Sequence, residues 1–205
     1  MSRKIAPFID IVRLEDKETK LKSFIRTVVE QAAAHCETGG ESHAVLLIAR
    51  SIESPVAKAV AALVREGTIT VPVKAILALL PRQEVEGDAV GDTLAALVGA
   101  QGGRVIRDAR LFDAHEQIVL GPAASWIGDC MRRDPMKRDA YECFAADCSK
   151  TAGWARTSFE RLWNICEALP EELGQPVAAV AAELCPLPVG VEDGALADPV
   201  RSTSS

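Results

Sequence analysis

The sequence predicts an α/β domain with a mixed sheet flanked by helices on both faces, and three observations lead there. The run His43 to Ala49 (HAVLLIA) is continuously apolar and branched, as in a strand buried on both faces. Helix-like and strand-like segments alternate through the first hundred residues, which implies parallel pairing with helices covering the sheet. Hydrophobic residues make up 48% and charged residues 25% of the 205 residues, so a buried core is expected.

Pro7 to Val12 reads as a short strand, with Phe8, Ile9, Ile11 and Val12 apolar around Asp10. From about Asp16 to Cys36 the residues Leu21, Phe24, Ile25, Val28, Val29 and Ala32 recur at three and four positions. That spacing predicts an amphipathic helix, ended by Gly39-Gly40. After the His43 to Ala49 strand, Ser54-Pro55 offers an N-cap and a first-turn proline. The helix they open is expected to run to Glu66 and stop at Gly67.

Thr68 to Leu79 is strand-like, with Pro72 either dividing it or placing it near a sheet edge. Gly87 to Gly91 reads as a loop, followed by a helix from Asp92 to Ala100 that Gly102-Gly103 closes. Three strands are then expected as consecutive neighbours in one sheet: Arg104 to Leu111, His115 to Leu120, and Ser125 to Ile127. Asp134-Pro135 marks a turn. Beyond Tyr141 to Ala145, a long helix from about Ser149 to Leu169 has an apolar face of Trp154, Phe159, Leu162, Trp163 and Cys166. One domain over 1–185 is expected, with 186–205, small, polar and Pro/Gly-punctuated, as a disordered tail.

A net charge of −6 and a pI near 5.2 argue against bulk nucleic-acid binding, which needs surplus Lys and Arg to displace phosphate counterions. The start Met1-Ser2-Arg3-Lys4 leads into charge-interrupted sequence rather than an apolar signal core, and Ala75 to Leu80 is too short to span a bilayer. A cytoplasmic location is the expectation. Six cysteines (Cys36, Cys130, Cys143, Cys148, Cys166, Cys185) form no CxxC pair, so they read as reduced thiols rather than a zinc site. No metal and no cofactor is expected, and no Gly-rich phosphate loop, nucleophile elbow or HExxH pattern occurs.

The stretch from Arg104 to Trp163 carries a specific order of pieces. His115-Glu116-Gln117-Ile118-Val119-Leu120-Gly121-Pro122 is followed by Ser125-Trp126-Ile127-Gly128-Asp129, then Tyr141-Glu142-Cys143-Phe144, then Phe159-Glu160-Arg161-Leu162-Trp163. This resembles the half-domain of the phospholipase D superfamily. There a strand bearing His-x-Lys, four residues and Asp precedes a strand ending in Gly-Ser-x-Asn, an Arg/Ser-rich loop, an acidic strand and a helix ending in Phe-x-x-Leu-Trp. HAVLLIA, a helix and VPVKAILALL look similar to the family's opening strand–helix–strand, so the likeness covers roughly residues 16 to 168.

The resemblance implies a phospholipase D-like mixed sheet and a phosphodiesterase site in which an imidazole attacks phosphorus, an ammonium holds the non-bridging oxygens and an acid orients the site. At matching positions His115 is kept, but Gln117 stands for the lysine and Pro122 for the aspartate. Gly128 is kept, while Asp129 and Met131 replace Ser and Asn. At ~4 Å and an effective dielectric near ~20, one added carboxylate interacts by roughly 4 kcal/mol, so Asp129 opposes the charge the reaction needs. The family's site also uses two motifs, and this chain has one.

His115 is thus the candidate nucleophile, read alternatively as a strand histidine kept for hydrogen bonding. Arg132, Arg133 and Gln117 are candidates for holding a small phosphate- or carboxylate-bearing ligand, because guanidinium suits such anions, and Asp129 and Glu142 would line the cleft. The loop 129–142 is otherwise self-neutral, with Arg132, Arg133, Lys137 and Arg138 against Asp129, Asp134, Asp139 and Glu142. Cys130, beside the arginines, is a candidate reactive thiol, and His35 and His43 read as boundary residues. Trp126, Trp154 and Trp163 are expected in the core. Three functions follow: a non-catalytic interaction or regulatory module that dimerises through its former active-site face, a divergent phosphodiesterase or phosphotransferase using His115, and a small-anion sensor.

Overall fold

The computed structural model describes residues 6–35, 44–78, 88–98, 102–108, 111, 114–129 and 139–169. Within them eight strands form one mixed sheet: β1 Phe8–Arg13, β2 Val45–Ala49, β3 Val73–Leu77, β4 Gly103–Val105, β5 Gln117–Leu120, β6 Ala124–Ile127, β7 Asp139–Ala145 and β8 Glu167–Ala168. The helices are α1 Leu14–His35, α2 Pro55–Arg65, α3 Asp88–Val98 and α4 Ser149–Ile165. The strand order is β1-β7-β6-β5-β2-β3-β4-β8.

The alternating first half gives the parallel block. β2 pairs parallel with β3, and β3 with β4, each joined through a helix. Every residue of β2 is buried, as its uninterrupted apolar run requires. The second half of the sheet is antiparallel: β2 with β5, β5 with β6, β6 with β7, and β7 with the N-terminal strand β1.

Helices cover both faces, and strand alternation divides the core between them. On the α1 face, Leu21, Ile25 and Val28 of α1 pack with Ile118, Leu120, Trp126 and Phe144 of the sheet and with the buried side of α2. On the α4 face, Ala152, Ala155 and Phe159 cover Leu46, Ile48, Ile76 and Val119. Ser54 occupies the N-cap of α2 in extended conformation with Pro55 at the first turn, and Gly67 takes φ +73°, the left-handed geometry that ends a helix.

Several expectations are corrected. Residues 88–91 open helix α3 rather than forming a loop. Pro72 lies ahead of β3, accepting a hydrogen bond from Val45 N through its carbonyl, and β3 is an interior strand. The strand at Arg104 ends at Val105 and is separated from β5 by two strands, β2 and β3. The last helix stops at Ile165, and the chain turns back as β8 to pair with β4. Leu169 then reaches Gly103, whose Cα faces Leu169 Cδ1 and Val98 Cγ2 so closely that a β-carbon would clash with them. Trp126 is fully buried and Trp163 partly, but Trp154 is exposed. The boundary histidine His43, the cysteines Cys36, Cys130 and Cys185, and the tail 186–205 lie outside the described residues. Cys143, Cys148 and Cys166 are free thiols. No described helix is long and apolar enough to cross a membrane.

Candidate functional site

The motif strand β5 presents alternate residues to opposite faces, and this decides which of the expected site residues meet. Gln117 is buried on the α4 face, where its Nε2 donates to Ala155 O at 2.7 Å. Its amide nitrogen is therefore engaged inside the core, and the anion-binding role expected of it does not fit. His115 precedes β5 and is exposed, with no hydrogen bond or ion pair to another described residue. Arg132 and Arg133 lie outside the described residues. Asp129 is half-buried at φ 47°, a left-handed conformation that Asp tolerates better than most side chains.

Glu142 is not a cleft residue. It is fully buried on the α1 face, two positions from Phe144 and on the same side of β7. Lys17 of α1 reaches it: Nζ lies 3.0 Å from Glu142 Oε1 and 3.6 Å from Glu116 Oε2. The same ammonium stands 5.0 Å from the centre of a Trp126 ring, within cation–π range. Glu116 Oε1 also accepts the backbone N–H of Arg50 at 3.0 Å, at the end of β2, and Glu116 O accepts Gly128 N at 2.8 Å. Four elements thus converge on one buried ion cluster.

Two carboxylates share this lysine, and all three side chains are largely shielded from solvent. Burial pushes the Glu142 carboxyl above its ordinary range; Lys17 pulls against that, and the nearby Glu116 adds to it. A second pair lies next along the same face. Asp10 is the register partner of Glu142 across β1 and β7, and Lys20, one turn beyond Lys17, pairs with it. The Lys20 ammonium holds Asp10 below the usual carboxylate range.

Gly128, the glycine matched to the family's motif, belongs to this cluster for a steric reason. A β-carbon there would lie 2.6 Å from Trp126 Cη2 and 2.8 Å from Cζ2, so the indole occupies the space a side chain would need. Gly128, Trp126 and Glu142 share the α1 face, whereas Gln117 faces α4. Glu116, just ahead of β5 and one place from both His115 and Gln117, meets the α1 face along with Ile118 and Leu120. The sequence reading missed Lys17 and Glu116. For Lys17 a signal existed: the buried stripe Val28, Ile25, Leu21 continues back by four residues to position 17.

No family model matches this chain, and no curated protein is similar to it in sequence. Solved structures do match. The phospholipase D family member Nuc from Salmonella typhimurium superposes with a TM-score of 0.51 at 12% identity, over 80% of this chain and 99% of that one. NucT from Helicobacter pylori gives 0.46 at 7% identity, over 80% and 100%. TrmBL2, an archaeal chromatin protein, gives 0.45 at 15% identity, over 78% of this chain and 54% of that chain. With its mixed eight-stranded sheet, helices on both faces and near-complete overlap with Nuc, the chain has the phospholipase D-like fold.

Proposed function

We propose that this chain is a non-catalytic phospholipase D-like domain working as a homodimeric interaction or regulatory module. The observation that carries the reading is the internal pairing of Lys17. Phosphoryl transfer needs positive charge free to meet non-bridging oxygens. Lys17, whose ammonium lies 3.6 Å from Glu116 Oε2 just ahead of the motif strand, is only 8% exposed and already held by two carboxylates. Gln117 brings no charge and faces away. A substrate anion would have to displace this buried ion pair before meeting the Lys17 ammonium, which costs several kcal/mol.

The dimer belongs to the same reading. β1 is a sheet edge, and its Phe8, Ile9 and Ile11 are each about half exposed, so pairing with a second copy would cover them.

The test is turnover of bis-p-nitrophenyl phosphate by the purified chain and by His115→Ala, with sedimentation velocity for the oligomer. No turnover above background and a dimeric mass are expected. Turnover that His115→Ala abolishes would overturn the reading in favour of a phosphodiesterase helped by Arg132 or Arg133. Thermal stabilisation by inorganic phosphate without turnover, lost on replacing those arginines, would favour the anion sensor.

A further inference from the structure

Helix α4 turns Ala152, Ala155 and Phe159 inward and leaves its outer side uncovered by any described element. On that side Trp154 is 64% exposed. A single exposed aromatic needs no explanation by itself. Trp154, however, is one wall of a hollow of about 490 Å³, which it forms with Thr157, Ser158, Arg161 and Leu162 of the same helix and with Ala114 ahead of β5. Small-molecule sites have volumes of roughly 300–1,000 Å³.

The chemistry of the lining is one-sided. Arg161 offers a guanidinium that no described carboxylate pairs with, and the Trp154 indole N–H can only donate. Ser158 adds a hydroxyl, whereas Thr157 Oγ1 already donates to Gly153 O at 3.0 Å. The Lys150 ammonium lies 4.9 Å from the centre of a Trp154 ring, raising the positive potential at the same end. The described lining contains no carboxylate, and Leu162 and Ala114 give it an apolar floor. Arg161 and Trp154, two turns or about 10 Å apart along the axis, lie on one face of α4 and line the same hollow.

Donors above an apolar floor select a ligand with an acceptor group and an apolar body. We infer that the outer face of α4 binds a small amphipathic anion: an aromatic or aliphatic body resting on Trp154 and Leu162, and a carboxylate or phosphate held by Arg161. The chain's overall charge of −6 repels large polyanions, which leaves a compact ligand held by local contacts. None of His115, Gln117, Gly128 and Asp129 lines this hollow, so the inference does not depend on the chain being catalytic or not.

The experiment titrates the full chain by calorimetry with 1-naphthyl phosphate and 1-naphthoate, with 2-naphthol and inorganic phosphate as the two half-ligands. One equivalent of at least one naphthyl anion is expected to bind with a Kd below about 1 mM, and either half-ligand about tenfold more weakly or worse. Trp154→Ala and Arg161→Ala, both at exposed positions where circular dichroism checks the fold, should each weaken binding by about tenfold. The stronger of the two anions identifies the acid group. Absence of binding by both anions, or binding that survives both substitutions, would overturn the inference.

Discussion

Lys17 Nζ stands 3.0 Å from Glu142 Oε1, joining the first helix to the last long strand of the sheet inside the core. The pair is fixed by Trp126 beneath the ammonium and by Glu116 beside it. Removing one partner of a buried pair strands the other charge, at about 3–5 kcal/mol. Lys17→Met should therefore destabilise the chain by about 3 kcal/mol in urea denaturation, since two carboxylates lose their counter-ion. Adding Glu142→Gln should recover part of that loss. A change within about 0.5 kcal/mol for the single variant would mean the cluster does not hold α1 in place.

The raised Glu142 pKa has a definite consequence for stability. The folded chain binds the Glu142 proton more tightly than the unfolded chain does, so ionising it at neutral pH works against folding. That cost is relieved as pH falls through the raised value toward the ordinary 4.5. Among the described residues, Lys17 and Glu116 are the charged groups that act on it, with the Asp10–Lys20 pair next along the face. Asp10 acts oppositely, and its contribution is lost only as pH falls below 3.8. Relative to Glu142→Gln, the native sequence should gain thermal stability as pH is lowered from neutral toward 4.5. A difference that stays flat, or grows the other way, would contradict this.

Gln117→Lys restores the residue type of the family motif and separates two accounts of the strand. With Gln117 buried and bonded to Ala155 O, a lysine there would put an unpaired ammonium under α4. Destabilisation of about 3 kcal/mol or more and no gain in phosphodiester turnover are expected. A stable variant with new turnover would show that the strand presents this residue to a cleft.

Cys148 should be the most reactive of the described thiols. Its Sγ lies 3.2 Å from Thr151 Oγ1, which holds the thiol pKa below the usual range, whereas burial pushes Cys143 and Cys166 up. In iodoacetamide labelling followed by peptide mass spectrometry, Cys148 should be alkylated ahead of those two. Thr151→Val should slow it by roughly a few-fold.

The architecture was legible because its signals are local. HAVLLIA, the Ser54-Pro55 helix start and the spacing of Leu21, Ile25 and Val28 each follow from short-range chemistry. Sheet order was less so. Arg104 to Leu111 reads as the neighbour of His115 to Leu120, but β2 takes the place beside β5 through long-range pairs such as Leu46 with Val119. The site was the least legible part. Glu116, Gln117 and Glu142 differ in role through which face of the sheet each one meets, and a motif aligned by residue type alone does not fix that face. Lys17 matched no motif, because it comes from the helix opposite.

Strand β1 pairs only with β7, so residue 8 finds its partner at residue 144. During synthesis the N-terminal segment therefore emerges long before the strand it needs exists, with Phe8, Ile9 and Ile11 open to solvent. On the ribosome β1 is made well before β7 and settles only once β7 is there. A nascent chain stopped before residue 139 would leave those side chains without their place in the sheet.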